Sequence, residues 1–348
     1  MGEPMIAAPV TTFRRKMPPL ATRIAMGMVM YGVGAPVIRI LDMFGRAPAL
    51  LARMYERRYQ SLKDTNPLQR YTPSGHDVFV AAHVKSGTNW MMQIAHQLLF
   101  HGEGEYDHIH SVVAWPDIAH MSPLRHYAIP IEDAAVWQAS PERKRVIKTH
   151  YDWDWLPYSP EARYIIVIRD PKDVFVSSYH FFVKDGPLRF TGFSPETWLE
   201  MFLSTGMGPW SPWPHNTASY WAQRHRPNVL IVSFKAMKRD LRSTVEKVAA
   251  FLGVDARDAL IDRVCHQASF AFMKEIDHKF RAWNLIPWAS TAAPMMRQGS
   301  AAVSSELLTR EQQQRIDRQF MADLRALGSD FPYEEFCEVS LDAVARAS

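Results

Sequence analysis

Four short strand-like runs, separated by longer helical patterns, restrict the fold of this chain more than any other feature. The runs are Val78–Ala82, Arg145–Lys148, Tyr164–Ile168 and Val229–Val232. Helical patterns follow three of them, at Asn89–Phe100, Lys172–Phe182 and Leu241–Leu252. The run Tyr164–Ile168 is rich in β-branched residues, as is typical of a strand buried on both faces. We therefore predict a three-layer α/β fold, with a central parallel sheet flanked by helices.

The amino terminus lies outside this alternation. We predict a helical extension over residues 1–65 and one domain over residues 66–348. Ile24–Ile38 is uncharged, but it is shorter than the roughly 20 apolar residues that span a membrane. We expect this stretch to be a helix packed on the domain, and we favour a helix that belongs to the core. A peripheral helix that rests on a membrane through residues 24–38 is the alternative.

Charge and cysteine content narrow the classes of partner and compartment. The net charge is +4, which favours an anionic ligand, but Lys and Arg form no long basic run. We therefore predict no nucleic-acid partner. Cys265 and Cys337 are the only cysteines, and their spacing fits no metal or redox motif. A cytoplasmic location is the simplest prediction.

Three polar clusters follow directly after three of the predicted strands. They are Lys85-Ser86-Gly87-Thr88, Lys148-Thr149-His150 and Arg169-Asp170-Pro171-Lys172. Ligands of parallel sheets bind at the carboxyl ends of the strands, so these clusters are predicted to converge at one edge.

The first cluster is similar to a phosphate-binding loop, except that its lysine precedes its only glycine. The free N–H groups and the dipole of the next helix would face an anion held there. By itself the cluster is also compatible with an ordinary strand-to-helix turn.

The other two clusters offer a base and a phosphate clamp. Lys148 and His150 stand at i and i+2 on a strand end, so they point to the same side. His150 could take a proton from a hydroxyl while Lys148 supports negative charge. Arg169 and Ser177 could present a guanidinium fork and a hydroxyl to one phosphate. The alternatives are a solvent-facing strand end and a salt bridge from Arg169 to a nearby aspartate.

Together these clusters resemble the sulfotransferases that use 3′-phosphoadenosine 5′-phosphosulfate (PAPS), particularly the cytosolic type. The segments that carry the resemblance, in chain order, are Val84–Trp90, Lys148–His150, Arg169–Ser177, Ser269–Met273 and Arg297–Gly299. They are similar to the family's Pro-Lys-Ser-Gly-Thr-Thr-Trp, Lys-Thr-His, Arg-Asn-Pro-Lys-Asp-Val-x-Val-Ser, Ser-Phe-x-x-Met and Arg-Lys-Gly motifs. The resemblance extends from about Asp77 to Phe336 and implies a P-loop-like fold.

The resemblance also implies a role for each matched residue. The 5′-phosphosulfate would be held by Lys85, Ser86, Gly87, Thr88 and Asn89, and adenine would stack on Trp90. The 3′-phosphate would be held by Arg169, Ser177, Arg297, Gln298 and Gly299. Phe234, Ser269 and Phe270 are placed in the same cofactor site. His150 would be the general base, and Lys85, Lys148 and Ser177 would complete the catalytic group, without a metal ion.

The acceptor is predicted to be a small molecule with a hydroxyl group. Trp115, His150 and Phe181, with Trp210 and Trp213, lie in segments that could wall its pocket, which favours an apolar or aromatic alcohol. Ordinary packing of these aromatic residues in the core is the alternative. The sequence leaves the acceptor's identity and the oligomeric state open.

Several positions depart from the family pattern. Phe234-Lys235-Ala236 replaces the usual Tyr-Glu-Asp, and Gln298 replaces a lysine. Asp152 and Asp154 form a D-x-D that would suit metal-dependent glycosyl transfer, although we expect a solvated rim there. A nucleotide kinase and a non-catalytic, membrane-associated nucleotide-binding module remain as alternative functions. A binding module has no need of a base, so His150 favours an enzyme.

Overall fold

The protein is described by a computed structural model that covers residues 11, 13–119, 124–205, 210–289, 293–297 and 304–340. Its central sheet contains β1 (Asp77–Ala82), β2 (Arg145–Thr149), β3 (Arg163–Ile168) and β4 (Val229–Ser233). The strands are all parallel, in the order β2-β1-β3-β4. Each predicted strand agrees with the structure to within one residue, and the prediction of an α/β fold with a parallel sheet is confirmed.

Helices surround the sheet. The α-helices are Leu20–Met28, Ala35–Met43, Ala47–Asp64, Thr88–Leu99, Pro116–Ala119, Ala135–Ala139, Pro171–Ser178, Pro195–Thr205, Trp213–Trp221, Phe234–Arg239, Leu241–Leu252, Asp258–Gln267, Phe270–Glu275, Arg310–Ala326 and Tyr333–Phe336. Short 3₁₀ helices are Pro67–Arg70, Ile109–Ser111, Trp153–Trp155, Arg189–Thr191, Asp277–Lys279 and Ser304–Glu306, and π-helical segments are Val29–Gly34 and Tyr179–Lys184. The three predicted helices are all present.

The core is formed by the sheet and the helices on its faces. Every residue of β1 and β2 is buried, as expected for strands covered on both sides. The helix Thr88–Leu99 packs on β1 and β2. In this register Ala81 lies beside Thr149, and Ala82 lies beside Val167. The loops that follow β1, β2 and β3 therefore leave the sheet at the same edge.

The first helices lie on the surface of this core. Leu20–Met43 is one continuous 24-residue helix with a π-helical middle, and its length and composition would suffice to cross a membrane. It is longer than the uncharged stretch that predicted it. The prediction of a helix packed on the domain is confirmed, since Tyr31 contacts Phe190 and Arg23 donates to Asn284 O. The preference for a core position is wrong, because only Gly27 and Ala35 are buried within the helix. The domain boundary at residues 65 and 66 remains a prediction.

Candidate active site

A cavity of about 630 Å³ opens where the three polar clusters converge, at the carboxyl edge of the sheet. The predicted residues that line it are Lys85, Gly87, Thr88, Asn89, Trp90, Trp115, Lys148, His150, Arg169, Ser177, Phe181, Phe234, Phe270 and Arg297. The strand order explains this convergence, since β1 lies between the strands that carry Lys148 and Arg169.

A few predicted residues lie elsewhere. Ser269 caps the helix Phe270–Glu275 by accepting a hydrogen bond from Phe272 N, and it does not line the cavity. Gln298 and Gly299 lie outside the described residues. Trp213 was expected in the acceptor wall, but it is buried in the core, where its ring stacks on Phe320 at 5.7 Å. Its placement in the acceptor pocket is therefore wrong.

The loop after β1 has the backbone shape of an anion cradle. Lys85 has a φ of 67° and Gly87 a φ of 101°, both in the left-handed region. A Cβ atom on Gly87 would lie 2.6 Å from the ring of Phe234, so no other residue fits there without displacement. The 12-residue helix Thr88–Leu99 begins directly after this glycine, and its first N–H groups lack partners within the helix. The loop thus brings peptide donors and a helix N-terminus to one end of the cavity.

Ser86, which was also predicted to hold the ligand, does not itself line the cavity, but within the described residues its hydroxyl group is unpartnered beneath the loop. Its side chain is fully buried, and its Oγ has no hydrogen-bond partner among the described residues. A buried hydroxyl without a partner is uncommon, because its desolvation is uncompensated. An oxyanion in the loop would supply the missing acceptor.

Two lysines face the cavity, and among the described residues neither ammonium group forms an ion pair, although the charge of Asp117 acts on Lys148 and that of Asp277 acts on Lys85. Lys85 Nζ lies 3.9 Å from the ring centroid of Phe181, and Lys148 Nζ lies 3.4 Å from that of Trp115. Desolvation, together with a neighbouring cation, lowers the pKa of each lysine to about 7. A bound anion would reverse this effect by stabilising the protonated forms.

His150 is held in one tautomer. Its Nδ1 lies 2.7 Å from the carbonyl oxygen of Ala82, and because a carbonyl only accepts, Nδ1 carries the proton. Nε2 therefore keeps its lone pair. Burial, and next the charge of Lys148, hold the pKa of His150 well below its usual range. The neutral ring lies between Trp115 and Trp210, with centroid distances of 5.6 and 5.4 Å.

The strand end that carries His150 is fixed by a carboxylate that the sequence did not reveal. Asp117 is fully buried and accepts hydrogen bonds from the backbone N–H of His150 and from Thr149 Oγ1. Burial raises the pKa of Asp117 to about 6. Asp117 lies in a short helix that belongs to no recognised motif, so only the fold brings it beneath β2.

Arg169 and Arg297 both have partners within the protein already. Arg169 donates to the carbonyl oxygen of Lys85 at 3.1 Å, and its guanidinium is also paired with Asp173 at 3.5 Å, which is the salt bridge that the sequence offered as an alternative. Its Nε is buried and has no hydrogen-bond partner in the described part of the chain. Ser177 lines the cavity one element further on. Arg297 also lines it, but its guanidinium is paired with Glu306 at 2.7 Å. Both arginines would therefore have to share their charge with a ligand, and Arg169 in addition retains Nε as a donor.

Aromatic rings bound the cavity beside the loop. Trp90 donates its Nε1–H to the carbonyl oxygen of Ala268 at 2.7 Å, which fixes the plane of the indole. Phe234 meets this indole edge-on, with centroids 5.6 Å apart, and the guanidinium of Arg169 lies 4.4 Å from the Phe234 centroid. Lys238 also lines the cavity and was not singled out from the sequence. Its position four residues after Phe234 on one helix gives it access to the same edge.

The rest of the cavity is mainly apolar. Trp115, Phe181 and Trp210 line it, as predicted. Further walls come from segments without a recognisable motif, including Tyr127, Trp283, Ile286, Met26 and Met30. An apolar molecule of moderate size fits such a lining.

The D-x-D pair is arranged differently from the expectation. Asp152 is buried and accepts hydrogen bonds from Tyr59, Ser211 and Asn216, so the predicted solvated rim is wrong for this residue. Asp154 is exposed. Among the described residues, no group of three or more His, Cys, Asp or Glu side chains is arranged to hold a metal ion.

Comparisons with known proteins agree with this geometry. Residues 75–328 match the family model described as "Sulfotransferase domain". The chain is similar to Sulfotransferase 2A1 of Macaca fascicularis, with 27% identity over 74% of this chain and 88% of that protein. It is also similar to the amine sulfotransferase of Oryctolagus cuniculus, with 28% identity over 84% of this chain and 94% of that protein.

Two solved structures share the fold. Retinol dehydratase, in complex with androsterone and the inactive cofactor PAP, superposes with a TM-score of 0.63 and 19% identity, over 80% of this chain and 88% of that one. Mouse sulfotransferase SULT7A1, complexed with PAP, superposes with a TM-score of 0.55 and 22% identity, over 82% and 92% of the two chains.

Proposed function

The chain belongs to the sulfotransferase family, and from this premise we propose that it sulfates the hydroxyl group of an apolar alcohol with His150 as the general base. As a member of this family it is a PAPS-dependent sulfotransferase. The observation that carries the proposed role of His150 is its tautomer, because Nδ1 donates to Ala82 O and leaves Nε2 as a proton acceptor.

The site fits the cofactor in three respects. The left-handed backbone at Lys85 and Gly87 forms a cradle, Ser86 Oγ lacks a partner among the described residues, and the next helix directs its N-terminus to the same place. We assign the 5′-phosphosulfate to this loop. Bound PAPS supplies an activated sulfuryl group.

The two lysines would neutralise the charge that spreads during transfer. Lys85 and Lys148 face the cavity from adjacent strands, and their ammonium groups lie against aromatic rings. Positioned cations in a site of low polarity stabilise developing negative charge more strongly than the same cations in water. Sulfuryl transfer requires such neutralisation and in-line positioning, as phosphoryl transfer does.

At the acceptor, His150 Nε2 would accept the hydroxyl proton. The low pKa of this histidine keeps the ring neutral at pH 7, so it is in the correct protonation state before the acceptor arrives. Asp117 holds the backbone of the same strand end and serves as a positioning residue.

The nucleotide end would be held by groups at the far side of the loop. Arg169, with its buried and unpartnered Nε, and Ser177 are assigned to the 3′-phosphate. Arg297 is assigned to the same phosphate, although its pairing with Glu306 would have to be shared. Trp90, Phe234 and Phe270 would enclose adenine. Ser269 would support the cofactor site indirectly, by capping the helix that begins at Phe270.

The apolar lining supports an acceptor that is largely hydrocarbon or aromatic, with Trp115 and Phe181 as walls. We propose a cytoplasmic location, which the free thiols of Cys265 and Cys337 support.

The test of the base is His150→Ala, assayed for transfer from labelled PAPS to a panel of phenols and alcohols. We expect kcat to fall by about 10²–10⁴. The Kd for PAP, measured by calorimetry, should change by less than about threefold because the imidazole is assigned to the acceptor. A variant that retains wild-type turnover would remove His150 from the mechanism.

A further inference from the structure

We propose that the outer face of the N-terminal helix, Leu20–Met43, docks on an anionic lipid surface and that the acceptor enters the cavity from this surface. The docking is argued from the helix itself. The entry of the acceptor rests in addition on the proposed function.

The helix has its polarity reversed relative to an ordinary surface helix. Apart from Arg39, its large exposed side chains are apolar, and with the adjoining Phe44 they are Leu20, Met28, Val29, Val33, Val37, Ile40, Met43 and Phe44. Exposure reaches 64% at Met28, 62% at Val33 and 83% at Met43. The spacing of three and four residues places Val29, Val33, Val37 and Ile40 on one stripe of the helix. We call this stripe the outer face.

The charged residues of the helix are turned towards the domain. Arg23 donates to the carbonyl oxygen of Asn284 at 2.9 Å, and Asp42 accepts from Thr197 Oγ1 at 3.1 Å. Arg39 reaches the carbonyl oxygen of Thr191. In water the usual arrangement is the opposite, with the apolar stripe on the core and the charges outside. An exposed apolar stripe of this length marks an interaction surface.

The same contacts indicate that the helix lies along the domain. Tyr31 packs against Phe190 with centroids 5.9 Å apart, between the polar anchors at Arg23 and Asp42. At Gly27 the backbone approaches Trp288 so closely that a Cβ atom would lie 2.4 Å from the indole ring. A helix held in this way along its length can insert its outer face into the interfacial layer while its inner side stays on the protein.

Exposed cations follow the apolar stripe in the chain and favour one kind of surface. Arg46 follows Phe44 and is exposed. In the next helix, Ala47–Asp64, the exposed residues Leu50, Arg53, Met54 and Arg57 occur at i, i+3, i+4 and i+7, so they share one face. Apolar groups interleaved with arginines complement anionic lipid headgroups above an acyl layer. In a second copy of the chain the same arginines would meet like charges, which disfavours self-association through this surface.

The helix also forms part of the cavity wall. Met26, Met30 and Tyr31 line the cavity from the inner side of the helix, opposite the outer face. The cavity and the docking surface are thus separated by the thickness of one helix. The class of acceptor that fits both is an alcohol carried in a lipid layer, with its hydroxyl end towards His150.

The docking is tested with the purified full chain and sedimented vesicles, without cofactor or acceptor. Phosphatidylglycerol–phosphatidylcholine vesicles should bind the wild type, and pure phosphatidylcholine vesicles should bind it more weakly. Val33→Glu/Val37→Glu places two charges on the outer face and should lower the partition coefficient at least about tenfold. The matched control is Leu327→Glu, at an apolar residue that is 47% exposed outside this surface. It should stay within about twofold of the wild type.

The double variant Arg53→Gln/Arg57→Gln tests the electrostatic contribution to vesicle binding. It should weaken binding to the anionic vesicles and reduce the salt dependence of that binding. Thermal unfolding of each variant confirms that it is folded. Equal binding of the wild type and the outer-face variant would overturn the proposal. So would a dimer in sedimentation equilibrium that the outer-face variant dissociates, because the stripe would then be a contact between copies.

Turnover measurements distinguish the proposed route of acceptor entry from the proposed sulfotransferase activity on alcohols. We expect the outer-face variant to sulfate hexadecanol in anionic vesicles at least about tenfold more slowly than the wild type, and soluble 2-naphthol within about twofold. If vesicles bind but neither alcohol is sulfated under any condition, the proposed acceptor class fails while the docking stands. If the variant sulfates vesicle-borne hexadecanol as fast as the wild type, acceptor entry from the lipid surface is refuted.

Discussion

Binding of the nucleotide should draw protons from solution, because the two active-site lysines are deprotonated more easily than ordinary lysines. Lys85 and Lys148 each have a pKa of about 7 in the protein without ligand. Anionic groups placed between them favour the protonated forms and raise both pKa values. A group whose pKa rises on binding takes up a proton, so affinity must fall as the pH rises through the pKa of the free protein.

The number of protons taken up on binding follows from these two pKa values. At pH 8 a lysine with a pKa near 7 is protonated in only about 10% of molecules, so each takes up about 0.9 proton if the complex holds it fully charged. The pair then takes up about 1.8 protons per nucleotide bound, as a joint property of the two coupled groups. PAP is the suitable probe, because its phosphates, with a second pKa of about 6, are already ionised at this pH. Each further pH unit should weaken binding by roughly 30- to 100-fold until the pKa values of the complex are reached.

The assay is isothermal titration calorimetry of PAP at pH 8 in buffers of different ionisation enthalpy. The slope of observed enthalpy against buffer enthalpy gives the number of protons taken up. Lys148→Met is the control, and it should reduce the uptake to about one proton or less. A wild-type uptake near zero would refute the reasoning, since the lysines would then either have ordinary pKa values or lie away from the bound anion.

Three further variants test single features of the site. Gly87→Ala should weaken PAP binding at least about tenfold, because the left-handed backbone and the facing aromatic ring both oppose a Cβ atom. Gly253→Ala, at a left-handed glycine in open space, controls for backbone strain. Equal PAP affinities of the Gly87→Ala variant and the wild type would contradict the role of the loop as an anion cradle. Asp117→Asn removes a negative charge that raises the pKa of Lys148, so the pH dependence of PAP binding should move to lower pH; an unchanged profile would show that the two groups are not coupled. Arg169→Ala should reduce the preference for PAP over adenosine 5′-monophosphate by about tenfold or more, measured by calorimetry, and a retained preference would place the 3′-phosphate elsewhere.

Local pattern in the sequence was sufficient for the architecture. The strand-like runs and the helices after them depend on neighbouring residues, and all four strands agree with the structure to within one residue. Parallel pairing follows from the alternation, and it places Lys85, Lys148 and Arg169 at one edge. The family was recognisable for the same reason, because each motif is a short continuous segment attached to a strand end.

Features that depend on distant residues could not be predicted from local sequence pattern. Asp117 fixes the strand end at His150 from a short helix without a motif, and Glu306 engages Arg297 through a pairing that no local pattern encodes. Trp213 carries the same side chain as the aromatic residues of the cavity wall, yet its packing against Phe320 places it in the core.

The N-terminal helix shows most clearly which features follow from local sequence and which depend on contacts between distant residues. Its apolar composition predicted a helix, and periodicity could identify which residues share a face. Whether the apolar face meets the domain or the surroundings depends on which partners the charged residues find. Here the anchors of Arg23 and Asp42 lie on the domain, so the apolar stripe is turned outwards. Local sequence therefore encodes the helix and its stripe, whereas the direction of the stripe depends on the folded chain, because hydrogen bonds to residues more than 150 positions away orient the helix.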